Sequence, residues 1–155
     1  MTLQIGDPAP DFTLPDQDDT SVNLASMLGK RVVIYFYPKD DTPGCTKEAC
    51  NFRDRWDVLQ DKGIQVLGIS KDGAGSHTKF IKKYHLPFCL LTDAEPCPVA
   101  SSYGSYGLKK FMGREYMGMI RQTFIVDQEG NIELIYRKVK ADSMANQILI
   151  DLGFE

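Results

Sequence analysis

The sequence of 155 residues predicts a single α/β domain, residues 1–155, built on a central mixed β-sheet flanked by helices. Three observations carry that expectation. Residues 31–37 and 64–70 are continuously apolar, β-branched runs, as expected of strands covered on both faces. Between them, Cys45, Ala49, Phe52, Trp56 and Leu59 recur at spacings of four, three, four and three, which is one face of a helix. Later, the strand-like runs 122–126 and 132–137 flank a loop containing Gly130, the pattern of an antiparallel hairpin.

Taken in order, Pro38 ends the first strand. Thr42 is a plausible helix cap with Pro43 at the first helical position, and Lys62-Gly63 is the stop of a helix running that whole distance. The strand–helix–strand unit is long enough for a right-handed parallel crossover. Residues 76–84 form a second helix with Phe80, Ile81 and Tyr84 inward and with His77 and His85 read as solvated surface residues. Residues 88–91 make a short third strand and 98–103 a short helix. Ser143 caps a closing helix that buries Met144, Ile148, Leu149 and Leu152.

Composition narrows the function classes. The chain is 43% hydrophobic and 25% charged, with a formal net charge of -3, so nothing draws it to nucleic acid or to an anionic membrane. No apolar run reaches the roughly 18 residues that span a bilayer. Residues 1–14 lack a basic start and an apolar stretch, so no signal peptide is expected and the expected location is cytoplasmic. In a reducing compartment Cys45, Cys50, Cys89 and Cys97 point to packing, metal binding or redox catalysis rather than to structural staples.

Cys45 follows Thr42-Pro43-Gly44 in the first turn of the predicted helix, where unpaired backbone N–H groups and the helix dipole favour thiolate over thiol. Cys50 lies five positions on. That spacing matches no standard zinc site, and no nearby His completes one, so no metal is expected. A disulfide between the two meets a geometric obstacle. Five helical residues separate the Cα atoms by about 8.7 Å, whereas a disulfide needs less than about 7 Å. The residues alone leave Cys50 open between a packing and a redox role, and Arg121 open between a strand-edge surface residue and a partner for a thiolate. Cys89, between Phe88 and Leu90, reads as a buried thiol; Cys97, in a Pro-flanked turn, reads as a more exposed, incidental one. Asp40-Asp41 reads as loop, with no acid/base dyad.

The string from Pro38 to Cys45 fits a PxxxTxxC signature, and its continuation through Asp54 resembles the Q-type, or bacterioferritin comigratory, peroxiredoxins. So do Gly6 to Leu14, Val66 to Ser70 and Arg121 to Asp127, and the resemblance spans nearly the whole chain. It implies a thioredoxin-like fold and reduction of hydrogen peroxide and organic hydroperoxides without cofactor. By position, Cys45 resembles the peroxidatic cysteine and Cys50 the resolving one. Thr42 would orient the peroxide, Arg121 would stabilise the thiolate, and Pro38 would shield it from water. Thiolate attack would leave a sulfenic acid on Cys45. Condensation with Cys50 would follow, then exchange with a dithiol such as thioredoxin. A monomer is expected, since no long apolar surface stripe demands a partner. A non-enzymatic redox sensor or holdase using Cys45 oxidation is the alternative. A thiol–disulfide oxidoreductase is disfavoured by the absence of CxxC.

Overall fold

The computed structural model describes residues 2–155. A small N-terminal hairpin comes first, strand β1 (Thr13–Pro15) paired antiparallel with β2 (Ser21–Asn23). Strand β3 (Arg31–Phe36) then enters the main sheet, followed by α1 (Pro43–Asp54), α2 (Trp56–Asp61), β4 (Ile64–Ser70), α3 (Ala74–Tyr84), β5 (Cys89–Thr92) and α4 (Pro98–Ser102). A second hairpin, β6 (Tyr106–Phe111) with β7 (Arg114–Met119), precedes β8 (Gln122–Val126), β9 (Ile132–Tyr136) and the closing helix α5 (Met144–Asp151).

The main sheet is mixed, in the order β5-β4-β3-β8-β9. β3, β4 and β5 run parallel, while β8 lies antiparallel to both β3 and β9. Both faces are covered, and the two-residue period of β3 shows how. Val33, Tyr35 and Tyr37 join a core with Ala49 and Phe52 of α1, Phe80 of α3 and Ile148 of α5. Val32, Ile34 and Phe36 join a second core with Phe12, Leu14, Ala100 of α4 and Tyr103. A strand buried on both sides has no polar alternation to show, which is why residues 31–37 read as one apolar run. Burying a side chain such as Phe52 completely stabilises the fold by about 1.5–3 kcal/mol.

The structure departs from the sequence reading in several places. The helix expected to run on to Lys62 is interrupted at Arg55, whose φ of -103° and ψ of 12° end α1 and start α2. The apolar periodicity continues across the break because both segments pack on the same core, so periodicity alone hides it. Residues 106–119 form a two-stranded ribbon around Met112 and Gly113, both at positive φ. Its apolar residues Leu108, Phe111, Tyr116 and Met117 are exposed on both faces, so no alternation marked the strands. The short strands β1 and β2 carried no periodicity to detect. His77 is wholly buried, not solvated, because its ring satisfies both nitrogens inside the protein; His85, in left-handed backbone at the end of α3, is exposed as expected. Cys97 is also buried, packed under α4, whereas Cys89 at the edge strand is only half-buried.

Gly68 of β4 is required by packing rather than by backbone angle. A Cβ there would stand 2.8 Å from Leu90 Cδ2 and from Cζ and the hydroxyl of Tyr35. Tyr35 cannot retreat, because its ring is stacked against Tyr37 and Phe52 at centroid distances of 5.4 and 5.0 Å. Gly68→Ala is therefore expected to destabilise the protein by about 1–3 kcal/mol, the usual cost of overpacking. A lowered urea midpoint with an unchanged m-value is the measurement that checks it.

Candidate active site

The site is assembled where β3 ends and β8 begins. Phe36 pairs with Gln122 in the antiparallel register, so the loop leaving β3 and the residue preceding β8 lie side by side. That register brings Arg121 to Cys45, 76 positions away in sequence.

Cys45 is the third residue of α1 and is 1% exposed. Pro43 opens the helix in the position where a missing N–H costs nothing. Thr42 stands at the cap with extended backbone, but its hydroxyl does not cap the helix. It donates instead to the Lys39 carbonyl at 2.9 Å, leaving the first-turn amides without a side-chain acceptor. Such uncapped amides, at the positive end of the helix dipole, are a place for a negative charge or a polar ligand. Pro38 and Thr42 are both half-buried beside this turn.

The guanidinium of Arg121 bridges two groups on one face of α1. Its Nη2 donates to Cys45 Sγ at 3.1 Å and its Nη1 donates to Glu48 Oε1 at 2.8 Å. Gly44 makes room for this approach, since a Cβ there would lie 3.1 Å from Nη2. Glu48 was not singled out from the sequence. The signal that could have found it is its spacing of three from Cys45, which puts both side chains on one helix face. Lys109 of β6 is a second unanticipated cation nearby. Its Nζ donates to the Met119 carbonyl at 2.9 Å, and burial, with Arg121 close by, pulls its pKa down.

Glu48 is completely buried, and its pKa is pushed up to about 7. Burial is the main cause, opposed by the neighbouring Arg121 charge. Pairing with Arg121 does not cancel the burial cost for two reasons. The guanidinium divides its donors between Glu48 and Cys45, and Glu48 Oε2 has no hydrogen-bond partner.

All four cysteines are free thiols. Cys50 is half-buried in the same unbroken α1 as Cys45, and burial raises its pKa. Burial also raises Cys89 and pushes Cys97 up to about 11, with nearby carboxylates adding to the effect in both. Cys45 alone among them has a guanidinium donor on its sulfur. Among the described residues, no group of three or more His, Cys, Asp or Glu side chains could hold a metal ion, and no helix is long and apolar enough to cross a membrane.

The mixed sheet covered by helices is a thioredoxin-like fold, and it carries a buried cysteine at a helix start with an arginine on its sulfur. The family model described as the AhpC/TSA family matches residues 5–135, and the chain belongs to that family, in its peroxiredoxin Q or Bcp group. It is 45% identical over 140 residues to peroxiredoxin Bcp of Bacillus subtilis, covering 90% of this chain and 88% of that one. It is 44% identical over 147 residues to peroxiredoxin Bcp of Escherichia coli, covering 95% and 94%. Among solved structures, peroxiredoxin Q of Xanthomonas campestris superposes with a TM-score of 0.86 at 32% identity, covering 97% of this chain and 95% of that one. Peroxidoxin BcpB of Mycobacterium tuberculosis superposes with a TM-score of 0.85 at 34% identity, covering 97% and 96%.

The raised pKa of Glu48 sets a pH dependence whose sign is fixed. Its ordinary value is 4.5 and its folded value about 7, so the folded chain holds this proton more tightly than the unfolded chain. That contribution to stability is fully present below about pH 4.5 and is lost as pH rises through about 7. Glu48→Gln removes the titrating group, so its unfolding free energy should depend less on pH across this window than that of the parent. Urea midpoints for both proteins measured through the window check it.

Proposed function

We propose that this protein reduces hydrogen peroxide and organic hydroperoxides through Cys45. The Arg121–Cys45 contact of 3.1 Å at the start of α1 is the observation that carries the reading. The Cys45 thiolate attacks the terminal peroxide oxygen; the O–O bond breaks, its electron pair leaves with the alkoxide or hydroxide, and a proton completes the alcohol or water. Cys45 is left as a sulfenic acid. Arg121 stabilises the charge on sulfur and then the charge developing on the peroxide oxygens. Thr42, by its hydroxyl, orients the peroxide at the uncapped helix start, and Pro38 keeps bulk water from the sulfur. A structure of the Xanthomonas campestris bacterioferritin comigratory protein with a trapped intermediate and ligand concerns alkyl peroxide reduction by that relative, which supports the same substrate class here.

In the second half of the cycle, the Cys50 thiolate attacks the Cys45 sulfenic sulfur, forming a disulfide and releasing water. A dithiol reductant of the thioredoxin type restores both thiols by exchange. We place this cycle in the cytoplasm, acting as a monomer; four free cysteines suit a reducing compartment.

With thioredoxin, thioredoxin reductase and NADPH supplied, the protein should consume peroxide over many turnovers, which a sensor would not. Cys45→Ser should abolish turnover with the fold intact. Arg121→Ala should slow peroxide attack about 10²–10³-fold, the scale of losing a charge-stabilising donor in a buried site. Stopped-flow measurement of the first oxidation step checks both, and retained activity in Cys45→Ser would overturn the reading.

The resolving step requires α1 to open, because an intact helix holds the two Cα atoms about 8.7 Å apart, beyond the limit of about 7 Å for a disulfide. Opening its first turns forfeits several backbone hydrogen bonds worth about 1 kcal/mol each, which the new covalent bond can offset. After one equivalent of peroxide, non-reducing peptide mapping should find Cys45 joined to Cys50. Amide exchange across residues 43–51 should accelerate. A crosslink to Cys89 or Cys97 would transfer the resolving role.

A further inference from the structure

Behind the reactive loop lies a buried polar cluster that the peroxidase chemistry leaves unused. The side chains of Asp40 and His77 are 3% and 0% exposed, and His77 Nδ1 stands 2.7 Å from Asp40 Oδ2. A carboxylate this deep is tolerated only when its oxygens are occupied. Asp40 Oδ1 accepts the Tyr37 hydroxyl at 2.6 Å, and Oδ2 accepts the Ser76 hydroxyl at 2.8 Å. The other ring nitrogen of His77, Nε2, faces the Leu91 carbonyl at 3.1 Å. A carbonyl can only accept, so Nε2 is the donor in that contact.

These contacts tie four parts of the fold to one residue of the loop. Tyr37 directly follows β3, Ser76 and His77 lie near the start of α3, and Leu91 belongs to β5. The backbone N–H of Asp40 donates to Asp72 Oδ2 at 2.8 Å, and the Ser70 hydroxyl at the end of β4 donates to the same oxygen at 2.8 Å. The next residue, Asp41, is held at the other end of α3. Its carboxylate accepts Lys83 Nζ and the Tyr84 hydroxyl, each at 2.9 Å, with its own backbone at a φ of 56°. Two consecutive carboxylates therefore grip α3 near its first turn and at its last. Between this grip and α1 stands only Thr42, whose hydroxyl is bound within the same loop to Lys39.

A buried ionic or polar cluster of this kind adds little stability over a well-packed apolar one. We propose that Asp40 and His77 are positioning residues for the peroxide step, clamping residues 38–42 to α3 so that the Thr42 hydroxyl is aligned with Cys45 and Arg121 before substrate arrives. Neither residue touches the peroxide. The inference rests on the peroxidase reading above. The sulfur's own contacts, Arg121 and the core face of α1, are separate from the clamp.

The test uses the full chain with His77→Gln, Asp40→Asn and the double variant. Two rates are measured for each: oxidation by hydrogen peroxide, followed through the single tryptophan, Trp56, and alkylation of Cys45 by iodoacetamide, followed by peptide mass spectrometry. Each single variant should slow oxidation about tenfold to a hundredfold, the scale of a misplacement near 1 Å. Cys45 alkylation should keep the parental rate, and the double variant should be no slower than the slower single one. Oxidation at the parental rate in folded variants overturns the proposal. So does a loss that accompanies faster alkylation, which would mean the site had merely opened, or a double variant in which the two losses multiply. A parental chain that alkylates but consumes no peroxide overturns the peroxidase reading itself, and the positioning role with it.

Discussion

One guanidinium holds the site together. Arg121 donates to the sulfur of Cys45 and to the carboxylate of Glu48, and both lie on a helix that reaches Arg121 only through the pairing of β3 with β8. Without that cation the site would contain a buried carboxyl with no partner, among the costlier arrangements a protein interior can hold. With it, burial and charge are balanced against each other, and the balance is incomplete: Glu48 keeps one unpaired oxygen and a pKa raised to about 7. The site is electrostatically loaded before any substrate is present, which is the condition under which fixed donors are worth most to a reaction that moves charge.

The sheet makes this arrangement possible. β3 is covered on both faces, so its end is a rigid point from which the loop 37–42 departs. β8 runs antiparallel to it and starts at that same end. The helix dipole and uncapped first-turn amides of α1, and the arginine before β8, are thus directed at one spot by two separate pieces of chain. The loop is braced from behind by Asp40 and Asp41 against α3, so its conformation does not depend on α1 alone. That separation matters for the proposed cycle, in which α1 must open while the parts that position peroxide return to the same place each turnover.

Helix α1 carries a built-in conflict. Phe52 and Ala49 anchor it in the core, while the proposed resolving step requires its first turns to unwind. Arg55 interrupts the helix shortly afterwards, at non-helical dihedral angles, so the segment that must open is short and bounded. A single helix continuing to Lys62 would have coupled that opening to the packing of Leu59.

The sequence by itself determined the α/β class, the two central strands, the helix between them, the late hairpin and the placement of Cys45 at a helix start. All of these follow from local patterns, either runs of β-branched residues or spacings of three and four, which act over a few residues. The residues alone left Arg121 open between a strand-edge surface residue and a partner for a thiolate, and only the family resemblance named the Cys45 thiolate. The tertiary structure supplies the contact itself, because the distance from Arg121 to Cys45 is set by strand register, a long-range property no local pattern encodes. The same holds for Glu48, Asp40 and His77. Each looks like an ordinary polar residue on a helix or loop until packing buries it and supplies its hydrogen bonds. Charge and polarity are legible in a sequence, but burial is a collective outcome of the whole fold, and burial is what turned these three side chains from solvated groups into parts of a site.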